Sequence, residues 1–300
     1  MHAYGGPEVL RWDEVPVPQP GEGEVLVRVT AAGVNGLDWK IRDGLVQDAF
    51  PLRLPATLGI ELAGEVAAVG AGVEGYAIGD RVHAALGALG AYVGHVVVGA
   101  AKLARIPAAI DDATAAAIPV ASLTAWQSLF EAGQLERGET VLIHGGAGAI
   151  GSLAVQFAKQ AGARVVTTAR SRNADLLRRL GADEVIDYQA VRFEEVAKDI
   201  DLVLDFVGGE TLARSWQVLS PKGRVFTTAA PEIAAQLSEG RRGGWFRMRA
   251  DGAQLAEITA KVAAGDLTVV IDEVVTVEQA GEAIERNKQG HGAGKTVIRF

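Results

Sequence analysis

The chain has 300 residues, 49% of them hydrophobic and 22% charged, with a formal net charge of −8 and no cysteine. That length suits about two domains of roughly 100 to 200 residues, and the composition is that of an ordered globule rather than a disordered chain. Disulfides, thiolate zinc sites and a nucleophilic cysteine are excluded outright, and the acidic balance argues against a nucleic-acid partner.

Up to about Ile110, short apolar segments alternate with turn residues: Glu24 to Val34, Glu61 to Gly70, Gly79 to Gly87 and Gly94 to Ile106. Several short strands broken by Gly and Pro predict a barrel-like β domain. The Ala-rich stretch Asp112 to Gly133 shows helical spacing. Strands are then predicted at Thr140 to His144, Arg164 to Ala169, Glu184 to Ile186, Asp201 to Phe206 and Gly223 to Thr228, with helices near 149–161, 174–180 and 211–219. Strand, helix, strand at this interval is the pattern of a parallel sheet with helices on its faces. EGRRGGWF, Glu239 to Phe246, reads as a Gly/Arg-rich loop. After it come a helix at Gly252 to Ala264, a strand pair around Leu267 to Val275, a helix at Val277 to Asn287 and a last strand, KTVIRF. This tail is too short for a domain of its own and is expected to complete the first. No apolar run reaches the roughly 18 to 20 residues of a membrane span, and the first ten residues lack a basic start followed by an apolar core, so a cytoplasmic protein is expected.

Gly146-x-Gly148-x-x-Gly151, preceded by Gly145, follows the first of the parallel strands and opens a helix. Such a cluster lets the chain turn tightly, lets backbone approach a pyrophosphate and lets the helix pack close to the sheet. Gly145, Gly146, Ala147, Gly148, Ala149, Ile150 and Gly151 are therefore the candidate phosphate turn, with the helix N-terminus aimed at the anion. An NAD site places an acidic residue about 20 positions beyond the glycines to bind the ribose 2′-hydroxyl. Here Ser171 stands there, flanked by Arg170 and Arg172. Cations and hydroxyl donors suit a 2′-phosphate, so the expected cofactor is NADPH. Asp175, the nearest carboxylate, reads as a complement to the first turn of the next helix. Tyr188 reads either as a residue lying along the adenosine or as an ordinary surface tyrosine.

These residues, with AAGVNGLDWKIRDG (Ala31 to Gly44), GDRV (Gly79 to Val82), IPVASLTAWQSLF (Ile118 to Phe130), DFVGGETL (Asp205 to Leu212) and GKTVIRF (Gly294 to Phe300), resemble the medium-chain dehydrogenase/reductase superfamily. Within it the chain is similar to the zinc-independent quinone oxidoreductase branch that includes zeta-crystallin. The resemblance covers nearly the whole chain and implies an α/β protein of two domains. One is a GroES-like β-barrel catalytic domain (1–113 and 266–300), the other a Rossmann doubly wound parallel-sheet domain (114–265), with the cofactor in the cleft. It also implies a homodimer. Zinc-dependent relatives carry a cysteine ligand where this chain has Asn35, and a histidine where it has Ile60. His83, His95 and His144 show no ligand spacing and read as ordinary core or surface histidines. Without a metal Lewis acid, alcohol oxidation lacks its usual stabilisation of an alkoxide. The implied reaction is hydride transfer from NADPH to a quinone or to the β-carbon of an α,β-unsaturated carbonyl.

On the matching positions, the resemblance puts Thr124, Phe206, Val207, Gly208, Phe246 and Met248 beside the cofactor. It puts Asn35, Asp38, Lys40 and Tyr92 on the substrate side. Asn35 is then a candidate donor to a developing enolate. Asp38 and Lys40 read equally as a structural ion pair on a loop. The family's tyrosine motif is altered after Tyr92 to Val93-Gly94-His95, which leaves solvent water as an alternative proton source. Relatives usually carry one more strand, of the Met-Lys-Ala-Val type, before His2; either translation starts late here or the barrel lacks a strand and has an unpaired edge. Two other readings stay open: an enoyl-thioester reductase, and a non-catalytic NADPH-binding sensor or structural protein.

Overall fold

A computed structural model describes residues 1–237, 240–290 and 292–300. In chain order its elements are β1 (Glu24–Gly33), α1 (Gly36–Arg42), β2 (Glu61–Val69), β3 (Arg81–Ala85), β4 (His95–Gly99), β5 (Leu103–Arg105), α2 (Asp112–Ala117), α3 (Pro119–Trp126), β6 (Thr140–His144), α4 (Ala149–Gln160), β7 (Arg164–Ala169), α5 (Ala174–Arg179), β8 (Glu184–Asp187), α6 (Phe193–Val196), β9 (Ile200–Asp205), α7 (Gly209–Ser215), β10 (Leu219–Thr227), β11 (Arg242–Trp245), α8 (Gly252–Ala263), β12 (Ile271–Thr276), α9 (Ala280–Gln289) and β13 (Lys295–Arg299). They fall into two compact units, Met1–Val120 with Arg249–Phe300, and Ala121–Met248.

The first unit is built on a seven-stranded sheet ordered β12-β13-β1-β2-β3-β5, with β4 also paired to β1. Pairing is antiparallel except between β12 and β13. The ten residues of β1 bury Val25, Val27, Val29 and Ala32 in a core shared with Leu62, Val66, Val82, Val98 and Ile298. Residues 1–23 contain no strand; Ala56 N donates to Met1 O at 2.9 Å. α8 belongs to this unit, because Gly252 lets it pack onto the carbonyls of Ala101 and Leu103. The units thus divide at 120/121 and 248/249, not at the expected 113/114 and 265/266.

The second unit is a six-stranded, wholly parallel sheet ordered β11-β10-β9-β6-β7-β8. Leu142, Val203 and Val225 from three adjacent strands are fully buried, as expected of a sheet covered on both faces. The order reverses between β6 and β9: the chain runs outward from β6 through β7 to β8, then restarts at β9 on the other side. That reversal is a topological switch point, where ligands of open α/β sheets bind.

Several expected elements are corrected. The helical stretch 112–133 breaks at Ile118, because Pro119 lacks an N–H and starts α3 instead, and Gln127–Ala132 winds as a π-turn. The strand expected over Gly94–Ile106 splits into β4 and β5 around a short 3₁₀ turn at Ala100–Lys102. The helix expected at 211–219 ends at Ser215, since β10 already begins at Leu219. The expected strand pair near 267–275 is one strand, β12, and the last helix begins with a 3₁₀ turn at Val277–Gln279. The Gly/Arg-rich loop holds the sixth parallel strand, β11. Gly243, at φ +155°, lies so close to Val225 O that a Cβ would collide with it. Glu239, the first residue of that stretch, lies outside the described residues.

Candidate dinucleotide site

The four glycines after β6 are glycine for different reasons. Gly145 has φ +77°, a conformation L side chains rarely adopt. A Cβ on Gly146 would strike Thr167 of β7, and one on Gly151 would strike Gly145 O and Gly146 Cα, so these two set how tightly α4 packs on the sheet. Gly148 differs from all three. Its φ of −72° and ψ of 172° suit any residue, and the nearest atom to an added Cβ is Gly145 O at 3.4 Å, an ordinary contact. Nothing inside the protein requires glycine there. It is the N-cap of the 12-residue α4 and offers no side chain to the first N–H groups of that helix. Bare backbone donors with open space before them form a cradle that a side chain would fill, and an anion fits it.

One strand over, β7 is followed by Arg170, whose Nε donates to the Tyr188 hydroxyl at 2.9 Å just beyond β8. Arg170, Ser171, Arg172 and Tyr188 therefore gather at one side of the glycine turn, with Ser171, Arg172 and Tyr188 exposed. Asp175, in the first turn of α5, pairs with Arg178 of the same helix at 2.9 Å. On the other side of the turn, β9 is followed by Phe206, Val207 and Gly208. Val207 is 56% exposed, and its Cγ2 lies 3.4 Å from where a Cβ on Gly145 would be. Phe246, just beyond β11, donates its N–H to Thr227 O at 2.8 Å and is half-buried, as is Met248. Thr124 is buried in α3.

In the first unit, Asp38 is fully buried and accepts hydrogen bonds from Asn35 N (2.7 Å), Gly59 N (3.1 Å) and the Tyr92 hydroxyl (2.8 Å). Burial raises its pKa to about 6, against those hydrogen bonds and the nearby Lys295, which lower it. Burial and the adjacent Asp38 push Tyr92 well above its ordinary value. Ionising Tyr92 would place a phenolate beside a carboxylate in a dry site, so its geometry suits holding Asp38 rather than passing a proton. Lys40 is not paired with Asp38. Both sit on α1, two residues apart and so on different faces, and Lys40 lies over the Trp39 ring at 5.6 Å. Asn35 uses both its amide hydrogens internally, donating to Gly33 O (3.2 Å) and Glu61 Oε1 (2.9 Å), while Lys295 Nζ donates to its Oδ1 at 2.5 Å. No amide hydrogen is left for an enolate oxygen. Lys295 also pairs with the fully buried Glu61, whose Oε2 accepts from Val120 N at 2.7 Å.

Residues 21–108 match the alcohol dehydrogenase GroES-like domain family, and residues 180–298 the zinc-binding dehydrogenase family. A quinone oxidoreductase of Pseudomonas aeruginosa is 34% identical over 319 residues, covering 99% of this chain and 97% of that protein. The chain belongs to the medium-chain dehydrogenase/reductase superfamily. A 2-haloacrylate reductase of a Burkholderia species is 36% identical over 232 residues, or 74% of this chain and 70% of that one. The crystal structure of Escherichia coli quinone oxidoreductase complexed with NADPH superposes with a TM-score of 0.89 at 30% identity, covering 100% of this chain and 98% of that one. The chain is thus an oxidoreductase of the superfamily, with its GroES-like domain and Rossmann-like parallel sheet.

Although one matched family is described as zinc-binding, this member's residues do not fit that metal. Neither Asn35 nor Ile60, which the resemblance sets at the ligand positions, is a zinc-binding residue type, and the Lys295 ammonium bonds both Asn35 and Glu61. A dication there would face a buried cation. Among the described residues no three His, Asp or Glu side chains cluster to hold a metal. His83 and His144 are core residues. Burial holds them neutral, with pKa values near 4 and 3, and their nitrogens bond Ala115 O and Thr259 Oγ1, and Thr168 Oγ1 and Ser215 Oγ. Among the described residues no helix is long and apolar enough to cross a membrane.

Two features went unread in the sequence. Lys295 reaches Asn35 across 260 positions, which no local pattern reveals. Asp205, first residue of the DFVGG stretch, was legible as part of a motif but not as the group that holds its turn.

Proposed function

We propose that the protein is an NADPH-dependent reductase that transfers hydride to a quinone or to the β-carbon of an α,β-unsaturated carbonyl. The observation that carries the reading is the open cradle at Gly148, a glycine with no internal reason to be one, at the switch point of a doubly wound sheet. The backbone N–H groups of the first turn of α4, from Ala149 to Gly151, bind the pyrophosphate, with the helix dipole behind them. Arg170 and Arg172 hold the 2′-phosphate by charge-assisted bonds, with Ser171 and Tyr188 adding hydroxyl donors. No acidic residue stands where an NAD site needs one. Phe206, Val207, Gly208, Phe246 and Met248 bound the nicotinamide end, and Thr124 contributes from α3.

Bound NADPH supplies the hydride, and the polypeptide's task is to orient it and keep water out. An acceptor already electron-poor needs little further activation, which agrees with a site whose residues fit no zinc. With Asn35 spent on Glu61 and Gly33, and Tyr92 on Asp38, solvent water is the proton source for the enolate. The names of the P. aeruginosa and Burkholderia relatives agree with quinones and activated alkenes as the acceptor classes. The test is steady-state NADPH oxidation against 1,4-benzoquinone, an enone, an alkenal and a crotonyl thioester. Turnover of the free acceptors supports the reading, whereas activity on the thioester alone transfers it to an enoyl-thioester reductase. NADPH binding without turnover of any acceptor leaves a sensor or structural protein.

A further inference from the structure

Asp205 ends β9 fully buried, and among the described residues no ion pair involves it. An unpaired buried carboxylate is costly unless neutral donors surround it. Its Oδ1 accepts from Val207 N (3.1 Å) and Gly208 N (3.0 Å). Its Oδ2 accepts from Gly208 N (3.0 Å) and the Thr227 hydroxyl (2.8 Å). The carboxylate thus fastens the turn that follows its own strand and ties it to the end of β10. Thr227 extends the tie: its Oγ1 accepts from Ala229 N (3.1 Å) and its carbonyl from Phe246 N (2.8 Å). Gly208 adopts φ +82° within this turn, and the exposed Val207 is held over Gly145.

The strand order gives this turn a direction. With a pyrophosphate at the N-terminus of α4, which follows β6, Arg170 lies one strand to one side, after β7, and Tyr188 two strands to that side, after β8. The turn fixed by Asp205 lies one strand to the other side, at β9. Strands are spaced about 4.8 Å apart, so the two flanks are about 10 Å from each other, on opposite halves of a dinucleotide laid across the strand ends. We propose that Asp205 is a positioning residue for the nicotinamide half of the bound dinucleotide, acting through the Phe206–Gly208 turn and, by Thr227, through Phe246. The proposal rests on the dinucleotide reading given above.

The test measures equilibrium binding of NADPH and of adenosine 2′,5′-bisphosphate, which lacks the nicotinamide half, to the wild-type protein, Asp205→Ala, Asp205→Asn and Thr227→Val. Asp205→Ala is expected to weaken NADPH about tenfold or more, the value of one or two hydrogen bonds to a charged group, and to leave the bisphosphate within about twofold. Asp205→Asn is expected to recover most of the loss, since its amide oxygen still accepts from Val207 N and Gly208 N and its amide nitrogen donates to Thr227 Oγ1. Thr227→Val cuts only the tie to β10 and is expected to weaken NADPH about threefold, again sparing the bisphosphate; it decides the matter if Asp205→Ala does not fold. Unchanged NADPH affinity in these variants overturns the proposal, as does a parallel loss of both ligands, which marks a merely structural role. A wild-type protein that binds neither ligand overturns the dinucleotide reading itself, and the proposal with it.

Discussion

Placing a methyl group on two glycines of the same turn separates binding from packing. At Gly148 the backbone already suits alanine, and the nearest atom to the new Cβ is 3.4 Å away. Alanine is a poorer N-cap than glycine by up to about 1 kcal/mol, and it recovers about 0.4–1 kcal/mol by restricting the unfolded chain. Gly148→Ala is therefore expected to leave stability within about 1 kcal/mol of wild type. At Gly151 the same methyl meets Gly145 O and comes within 2.7 Å of Gly146 Cα, both backbone atoms that yield only if α4 shifts. Gly151→Ala is expected to cost about 1–3 kcal/mol or more, the usual range for overpacking. Ligand binding responds in the opposite sense for Gly148. A methyl in the cradle pushes the pyrophosphate off at least one charge-assisted N–H bond worth about 1.5–3 kcal/mol, a loss of about 10- to 100-fold in NADPH affinity. Urea unfolding and fluorescence titration with NADPH measure the two quantities on the same samples. The reasoning is refuted if Gly148→Ala binds NADPH as wild type does, or if it destabilises the fold as much as Gly151→Ala.

Replacing Arg170 and Arg172 together with Ala is expected to weaken NADPH at least about tenfold per arginine and to leave NADH within about twofold, read by calorimetric titration; equal losses refute the 2′-phosphate assignment. Lys295→Met strands the buried Glu61 charge and is expected to cost about 3–5 kcal/mol in urea unfolding, with Glu61→Gln in the same chain recovering much of it, because glutamine still accepts from Val120 N. The buried histidines set an acid limit. Their folded pKa values, about 4 for His83 and about 3 for His144, lie below the ordinary 6.5, so their contribution is complete above pH 6.5 and lost as pH falls through 4 and 3. It amounts to about 3 and 5 kcal/mol, and His144→Gln is expected to flatten stability against pH below 6.5, while an unchanged slope contradicts the neutral core role. Asp38 runs the other way. With its pKa raised to about 6, its contribution is complete below pH 3.8 and lost as pH rises through 6, so Asp38 offsets part of the histidine effect in that window.

The parallel sheet was legible where its signal is local. Val141, Leu142 and Ile143 form an apolar run of strand length, and the glycines that follow announce a turn whose demands are met within seven residues. The same locality hid β11, because its contribution to the sheet comes from the absence of side chains: Gly243 lies against Val225 O, where any Cβ would collide. Glycines read as a loop until the neighbouring strand is known. On the substrate side, the sequence offered Asn35, Asp38, Lys40 and Tyr92 as a chemical set, and side-chain geometry divides it. Asp38 and Tyr92 hold each other, Asn35 answers to Glu61 and Lys295, and Lys40 stands apart over Trp39. Partners 26 and 260 positions away decided the outcome for Asn35, and spacing carries no information at that range.

The most direct test of the central claim is the initial rate of oxidation of NADPH and of NADH, in separate runs with EDTA present and 9,10-phenanthrenequinone as acceptor. The account predicts turnover that survives the chelator and a kcat/KM for NADPH well above that for NADH. An absence of turnover with either nucleotide, activity abolished by EDTA, or a preference for NADH would contradict it.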